Sequence, residues 1–153
     1  MNRLLLIRLL FPLLLLPALA ACGSASTTPS APATVQEATA KVRGHSELVL
    51  VNSQGRTLYY LSSDTPTAST CTGACASLWP PLLQPSGTPT LAPGISGSLQ
   101  VIQDPNGAQV TYNGHPLYTF AGDTKAGEVR GDGLPQVFPS GPPAVWHVAK
   151  PGL

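Results

Sequence analysis

The sequence predicts an all-β fold: two related β-hairpin repeat units forming one small compact domain with long Pro/Gly-rich loops. Three observations carry that prediction. The block Leu117-Tyr118-Thr119-Phe120-Ala121-Gly122-Asp123 echoes an earlier one, Leu58-Tyr59-Tyr60-Leu61-Ser62-Ser63-Asp64. Each copy follows a glycine, Gly55 or Gly114, and each Asp precedes a Thr, as expected of one supersecondary unit used twice. Strand-like runs alternate with turn signals, the clearest being Asn113-Gly114. Finally, 17 prolines and 15 glycines with little amphipathic helical pattern leave room for at most a short helical turn near 71–79.

The N-terminus reads as an export signal. Arg3 and Arg8 precede an apolar run, Leu9 to Leu19, that is too short to span a membrane, so residues 1–21 form a lipoprotein signal peptide. Leu19-Ala20-Ala21-Cys22 matches the bacterial lipobox, in which small residues precede a cysteine that takes lipid and becomes the mature N-terminus. From Gly23 to about Arg43 the chain is mostly Ser, Thr, Ala and Pro with hardly any large apolar residue. Residues 22–43 are therefore expected to be a lipidated end and disordered tether. Loss of the signal leaves six basic residues against seven acidic ones and no basic run. That excludes the electrostatic footprint of a nucleic-acid binder and makes the lipid, not a basic patch, the membrane attachment. The expected location is the extracytoplasmic face of a bacterial membrane, in the cell envelope.

The single β domain is expected at 44–153, built of repeats at about 45–83 and 98–150. Glu47 to Asn52 and Thr57 to Leu61, joined by Ser53-Gln54-Gly55-Arg56, predict a hairpin with Leu50 opposite Tyr59 and Val51 opposite Leu58. Cys71 to Trp79 allows a short helical turn that Pro80-Pro81 must end. Leu82 to Gly97 reads as a surface loop. Ser98 to Gln103, the turn Asp104 to Gly107, Ala108 to Tyr112 and His115 to Phe120 make the second unit. A type I′ turn at Asn113-Gly114 sets Tyr112 opposite His115, Val110 opposite Leu117 and Gln109 opposite Tyr118. The Gly-rich loop 122–141 then leads to a closing strand, Ala144 to Ala149.

These residues bring a family into view. Gly55-Arg56-Thr57-Leu58-Tyr59, Cys71-Thr72-Gly73-Ala74-Cys75 with Leu78-Trp79-Pro80-Pro81-Leu82, and Val110-Thr111-Tyr112-Asn113-Gly114 with Pro116-Leu117-Tyr118 resemble the bacterial "secreted repeat of unknown function". These predicted lipoproteins carry the motif Y-x-[FWY]-x-x-D. The likeness extends to Asp123-Thr124 and Trp146-His147-Val148. Leu61 stands where the motif asks for an aromatic residue, so only Tyr118 to Asp123 fits it completely, which argues for packing rather than chemistry at that position. The resemblance implies an exported lipoprotein with tandem repeats and no established activity.

Candidate chemistry is sparse. Tyr59 with Leu61, and Tyr118 with Phe120, share a strand face, as packing requires. Asp64 and Asp123 are expected to cap the turns that follow them; the functional alternative places both Asp and both Tyr around one small-ligand pocket. In an oxidising compartment Cys71 and Cys75 are expected to form a disulfide, with a labile redox pair or metal ligation as the alternatives. Of the scattered histidines, His147 is a better metal-ligand candidate than His115, which should face solvent, while His45 stands alone. Arg130-Gly131-Asp132 spells an adhesion tripeptide, and Asp123, Glu128 and Asp132 offer oxygens but match no EF-hand spacing. No catalytic set assembles and no cofactor is implied. The function read from the sequence is a lipid-anchored binding or structural module, not an enzyme, whose partner is an envelope protein or small ligand. The alternative is an envelope redox or copper-handling protein using Cys71, Cys75 and a histidine, since soft thiolates and imidazole suit copper.

Overall fold

The computed structural model describes residues 31–139 and 141–153. The signal peptide and the lipidation residue Cys22 lie outside the described residues. Eight strands and one short helix follow in order: β1 Val35–Val42, β2 His45–Asn52, β3 Tyr59–Leu61, α1 Ala74–Leu78, β4 Leu99–Asp104, β5 Gly107–Tyr112, β6 His115–Pro116, β7 Pro135–Gln136 and β8 Ala144–Val148. The all-β prediction and the helical turn after Cys71 are as expected. No helix among the described residues is long and apolar enough to cross a membrane.

The fold begins earlier than expected, because β1 occupies Val35–Val42 in the stretch assigned to the tether. It pairs along its whole length with β2, from Val35 opposite Asn52 to Val42 opposite His45. From Glu37 onward its alternation is real but written in small residues: Ala40 and Val42 are buried while Glu37, Thr39 and Lys41 face out, and Val35, although on the side of the exposed residues, is buried at the strand's start. The turn that joins β1 to β2 puts Arg43 at φ 49° and Gly44 at φ 88°. This is the same pair of positive angles that Asn113 and Gly114 adopt at 48° and 84° in the predicted type I′ turn. Arg in the first position hid that hairpin.

With β1 included, the two repeats correspond strand for strand. Strands β1 and β2 match β4 and β5, and the segment 57–61 matches 116–120. In each repeat the second and third strands start as a hairpin and then splay. Val51 bridges Thr57, and Leu58 N–H donates to Leu50 O at 2.9 Å. Asn52 N–H also donates to Arg56 O at 2.9 Å, so the loop is one residue shorter than the expected four and the register shifts: Leu50 meets Leu58, not Tyr59. In the second repeat Tyr112 lies opposite His115 and Leu117 N–H donates to Val110 O at 2.9 Å, as predicted. Gln109, however, faces Leu83 rather than Tyr118.

A strand from the other repeat fills each splayed hairpin. Leu82 N–H donates to Leu117 O and Val110 N–H to Leu82 O, both at 2.8 Å. The first repeat shows the same closed ring of bonds: Ala149 N–H donates to Leu58 O and Leu50 N–H to Ala149 O, again at 2.8 Å. Strand β8 continues this pairing by running antiparallel to β3, with Tyr59 opposite Val148 and Leu61 opposite Trp146. Trp79 and Leu82 thus stand in their repeat where Trp146 and Ala149 stand in theirs, each three residues apart. At the centre Tyr59 and Tyr118 exchange backbone bonds of 2.8 and 2.9 Å. Each half is completed by the last strand of the other, so neither buries its apolar face alone.

Two core clusters result. One holds Val49, Leu61, Cys71, Trp79, Tyr118 and Trp146; the other holds Val35, Leu50, Leu58, Val110, Tyr112 and Leu117. The segment after Leu83 is less free than a surface loop: Thr90 O accepts Val35 N–H, Ala92 N–H donates to Val35 O, and Ser96 O accepts the Tyr112 hydroxyl.

Candidate functional site

Strand exchange brings the repeated motif residues together across the pseudo-twofold. Tyr59 O–H donates to Asp123 Oδ2 at 2.6 Å, and Tyr118 O–H donates to Asp64 Oδ2 at 2.7 Å. The second oxygen of each carboxylate accepts from its own loop: Asp64 Oδ1 from Thr70 N–H at 2.7 Å, Asp123 Oδ1 from Arg130 N–H at 2.9 Å. The expected turn-capping role therefore holds, and the Tyr of one repeat reads the Asp of the other. Neither cavity described among these residues is lined by the two Tyr and two Asp. Both tyrosines are fully buried and Asp123 is 1% exposed.

Burial sets the electrostatics. Desolvation pushes the carboxyls of Asp64 and Asp123 above the usual range, opposed by hydrogen bonds from Thr70 at Asp64 and from Tyr59 at Asp123. Both phenols are also raised, first by desolvation, then by the neighbouring carboxylate, so Tyr59 and Tyr118 stay protonated donors.

Between these pairs the indoles of Trp79 and Trp146 stack at 3.8 Å and 9°. Phe120 stacks on the outer face of Trp79 at 4.3 Å, and Tyr118 meets Trp146 edge-on at 5.0 Å. Leu61, the aliphatic counterpart of Phe120, is 1% exposed in the same cluster, which agrees with a packing role for that motif position. Gly131 lies against this stack. A Cβ there would come within 2.7 Å of Trp79 and 2.9 Å of Tyr59. Gly131→Ala is expected to destabilise by about 1 to 3 kcal/mol through overpacking, read as a shift in the urea midpoint. The same burial disposes of the Arg130-Gly131-Asp132 tripeptide as an adhesion signal, since Asp132 pairs with Arg43 at 2.8 Å and accepts Val148 N–H.

Cys71 and Cys75 are joined, with α-carbons 5.2 Å apart. Cys71 is wholly buried and Cys75 partly exposed, its sulfur 3.7 Å from Gln136 Oε1. The bond closes the short loop into α1, whose first turn has no side-chain cap. Replacing both cysteines by Ser is expected to cost about 2 kcal/mol from the small closed loop, again measurable by urea unfolding. A groove of about 470 Å³ runs beside it, lined by Cys75, Leu78, Trp79, Gln136, Val137 and Phe138 among others, with no charged side chain. Leu78 and Val137 on its rim are 51% and 74% exposed.

The histidines lie elsewhere. His147 stacks on Tyr60 at 5.3 Å and His115 packs on the same ring at 4.8 Å; His115 is thus half-buried against an aromatic ring rather than turned fully to solvent. Neither lines the groove beside the disulfide. Among the described residues no three His, Cys, Asp or Glu side chains gather in a metal-binding arrangement. Glu128 instead organises its own loop, accepting the N–H groups of Thr124 and Lys125.

The interlocked Tyr–Asp pairs and the Trp stack were missed by reading the sequence as two parallel copies. The signal that could have revealed them was the placement of a single Trp after each Asp, one per repeat. No curated protein and no solved structure matches the chain. Residues 48–83, which leave out β1, and 100–150, which take in nearly all of β4, match a family described as a secreted repeat of unknown function. Those stretches make up more than half of the sequence, and the chain belongs to that family.

Proposed function

We propose that this protein is exported, held to the extracytoplasmic face of a bacterial membrane by lipid on Cys22, and acts there as a binding or structural module rather than an enzyme. The observation that supports this reading is where the motif's polar groups go. Each Tyr hydroxyl and each Asp oxygen is engaged inside the fold, which leaves the outer surface to meet an envelope protein or small ligand. The uncharged groove beside the disulfide suits apolar groups. Fatty-acid labelling in cells tests the anchor: the wild-type chain should take the label and fractionate with membranes, and Cys22→Ser should do neither. Purified Cys22→Ser chain should turn over no thiol or disulfide substrate. Turnover that is lost in Cys71→Ser would sink the module reading.

One observation favours the redox alternative: Cys75 stands on the groove wall while Cys71 lies behind it, so an incoming thiolate could reach one sulfur. The copper form of that reading is less well supported. The two sulfurs are bonded to each other, and His115 and His147 sit on Tyr60 instead of beside them. Titration of the reduced chain with Cu(I) against a competing chelator decides it; binding that is absent, or unchanged by Cys75→Ser, ends the copper reading.

A further inference from the structure

Each half of the chain closes a gap in the other, and the bonds that do so come in equivalent pairs. Leu82 enters the fork between Val110 and Leu117, and Ala149 enters the fork between Leu50 and Leu58. Just before each entering strand, Ala121 N–H donates to Leu78 O and Ser62 N–H to Val145 O, at 2.9 and 3.0 Å. Each Tyr–Asp pair joins one half to the other, and the stacked indoles come one from each half. The connection, residues 84–98, contributes contacts with Val35, Tyr112 and Asn113, but none of the reciprocal bonds passes through its exposed stretch around Ser86 and Gly87.

We propose that the two halves are mutually specific binding partners, and that the protein associates with a second copy of itself by exchanging them. The first half of one chain then closes on the second half of the other, and the reverse. In such a dimer the forks, the Tyr–Asp pairs and the indole stack are all satisfied as in the monomer. What separates the two states is the connection, which holds the halves of one chain at high effective concentration and favours the monomer in dilute solution. Confinement of many copies to one surface removes much of that advantage. The partner is thus another chain bearing this repeat, and the recognition surface is the open fork with its unpaired Tyr and Asp.

Two experiments on the whole chain test this, both with Cys22→Ser and the disulfide intact. In the first, two differently tagged forms are unfolded together and refolded at high protein concentration. A mixed dimer should form that keeps the monomer's near-ultraviolet Trp signal and persists on dilution until it is unfolded again. Monomer at every concentration, or a dimer that falls apart at once on dilution, would overturn the proposal. In the second, a protease site is inserted between Ser86 and Gly87 and cut in the native state. The fragments should remain a one-to-one complex, separate in denaturant, and regain the Trp signal only when mixed. Fragments that part without denaturant, or that each fold alone, would count against it.

Discussion

Trp79→Ala and Trp146→Ala are each expected to lower stability by about 3 to 5 kcal/mol, the largest loss any single side chain here should give. Trp79 is covered on one face by Trp146 and on the other by Phe120, with Tyr59 edge-on at 5.5 Å. Trp146 adds an N–H donated to Gln136 Oε1 at 3.3 Å. Neither indole exposes more than 2% of its surface, so truncation leaves a cavity that the surrounding strands cannot close without breaking a fork. Domains of this size are stable by only about 5 to 15 kcal/mol, so either variant should unfold at far lower urea. Because the rings touch each other, the double variant should lose less than the sum of the singles by at least about 0.5 kcal/mol. Strict additivity would mean that the stack is not a shared interface between the halves.

The repeat, the all-β class, the Asn113-Gly114 turn and the disulfide were all legible in the residues, because each rests on a local rule. Positive φ at an Asn-Gly pair and two cysteines four positions apart in an exported chain need no knowledge of distant segments. What escaped the sequence is non-local. Nothing near Leu82 or Ala149 says that its backbone pairs within the opposite repeat, and a hairpin drawn from its turn alone has no reason to splay. The register at Leu50 failed for that reason: the loop closes one residue shorter, with Asn52 N–H bonded to Arg56 O, and Leu58 shares the ring of bonds with Ala149. Strand β1 escaped for a different one. Its buried positions include Ala40 and its turn begins with Arg43, so composition spoke for a tether where alternation spoke for a strand. The motif residues were identified by position, yet their partners were assigned within each copy. The Asp of one copy serves its own loop with one oxygen and the Tyr of the other copy with the second.

That division of labour makes a signed prediction for Tyr59→Phe and Tyr118→Phe. Each substitution keeps the ring and removes the O–H donated to Asp123 or Asp64, leaving a carboxylate oxygen short of a donor; the Tyr59 hydroxyl also accepts Gly131 N–H at 3.3 Å, a bond lost equally at every pH. The expected cost is about 2 kcal/mol at neutral pH, within the range for hydrogen bonds to charged groups. The pH dependence follows from the direction of the shifts. Desolvation raises both Asp carboxyls above their unfolded range near pH 4, so the folded state holds those protons more tightly. Their titration therefore contributes stability that is fully present below the unfolded value and is lost as pH rises through the folded one. Glu128 has the opposite sign. The N–H of Thr124 lowers its carboxyl, so its contribution is present above its unfolded value and is lost as pH falls through the folded one. Removing the Tyr59 hydroxyl takes away a hydrogen bond that favours the ionised Asp123, and so raises that carboxyl further. The loss in Tyr59→Phe should accordingly be greatest at pH 7 and shrink toward pH 4, where Asp123 becomes protonated. Urea unfolding of wild type and variant across that interval reads the difference directly. A destabilisation that stays constant with pH, or grows toward acid, would show that the Tyr59 to Asp123 bond is not made to an ionised carboxylate.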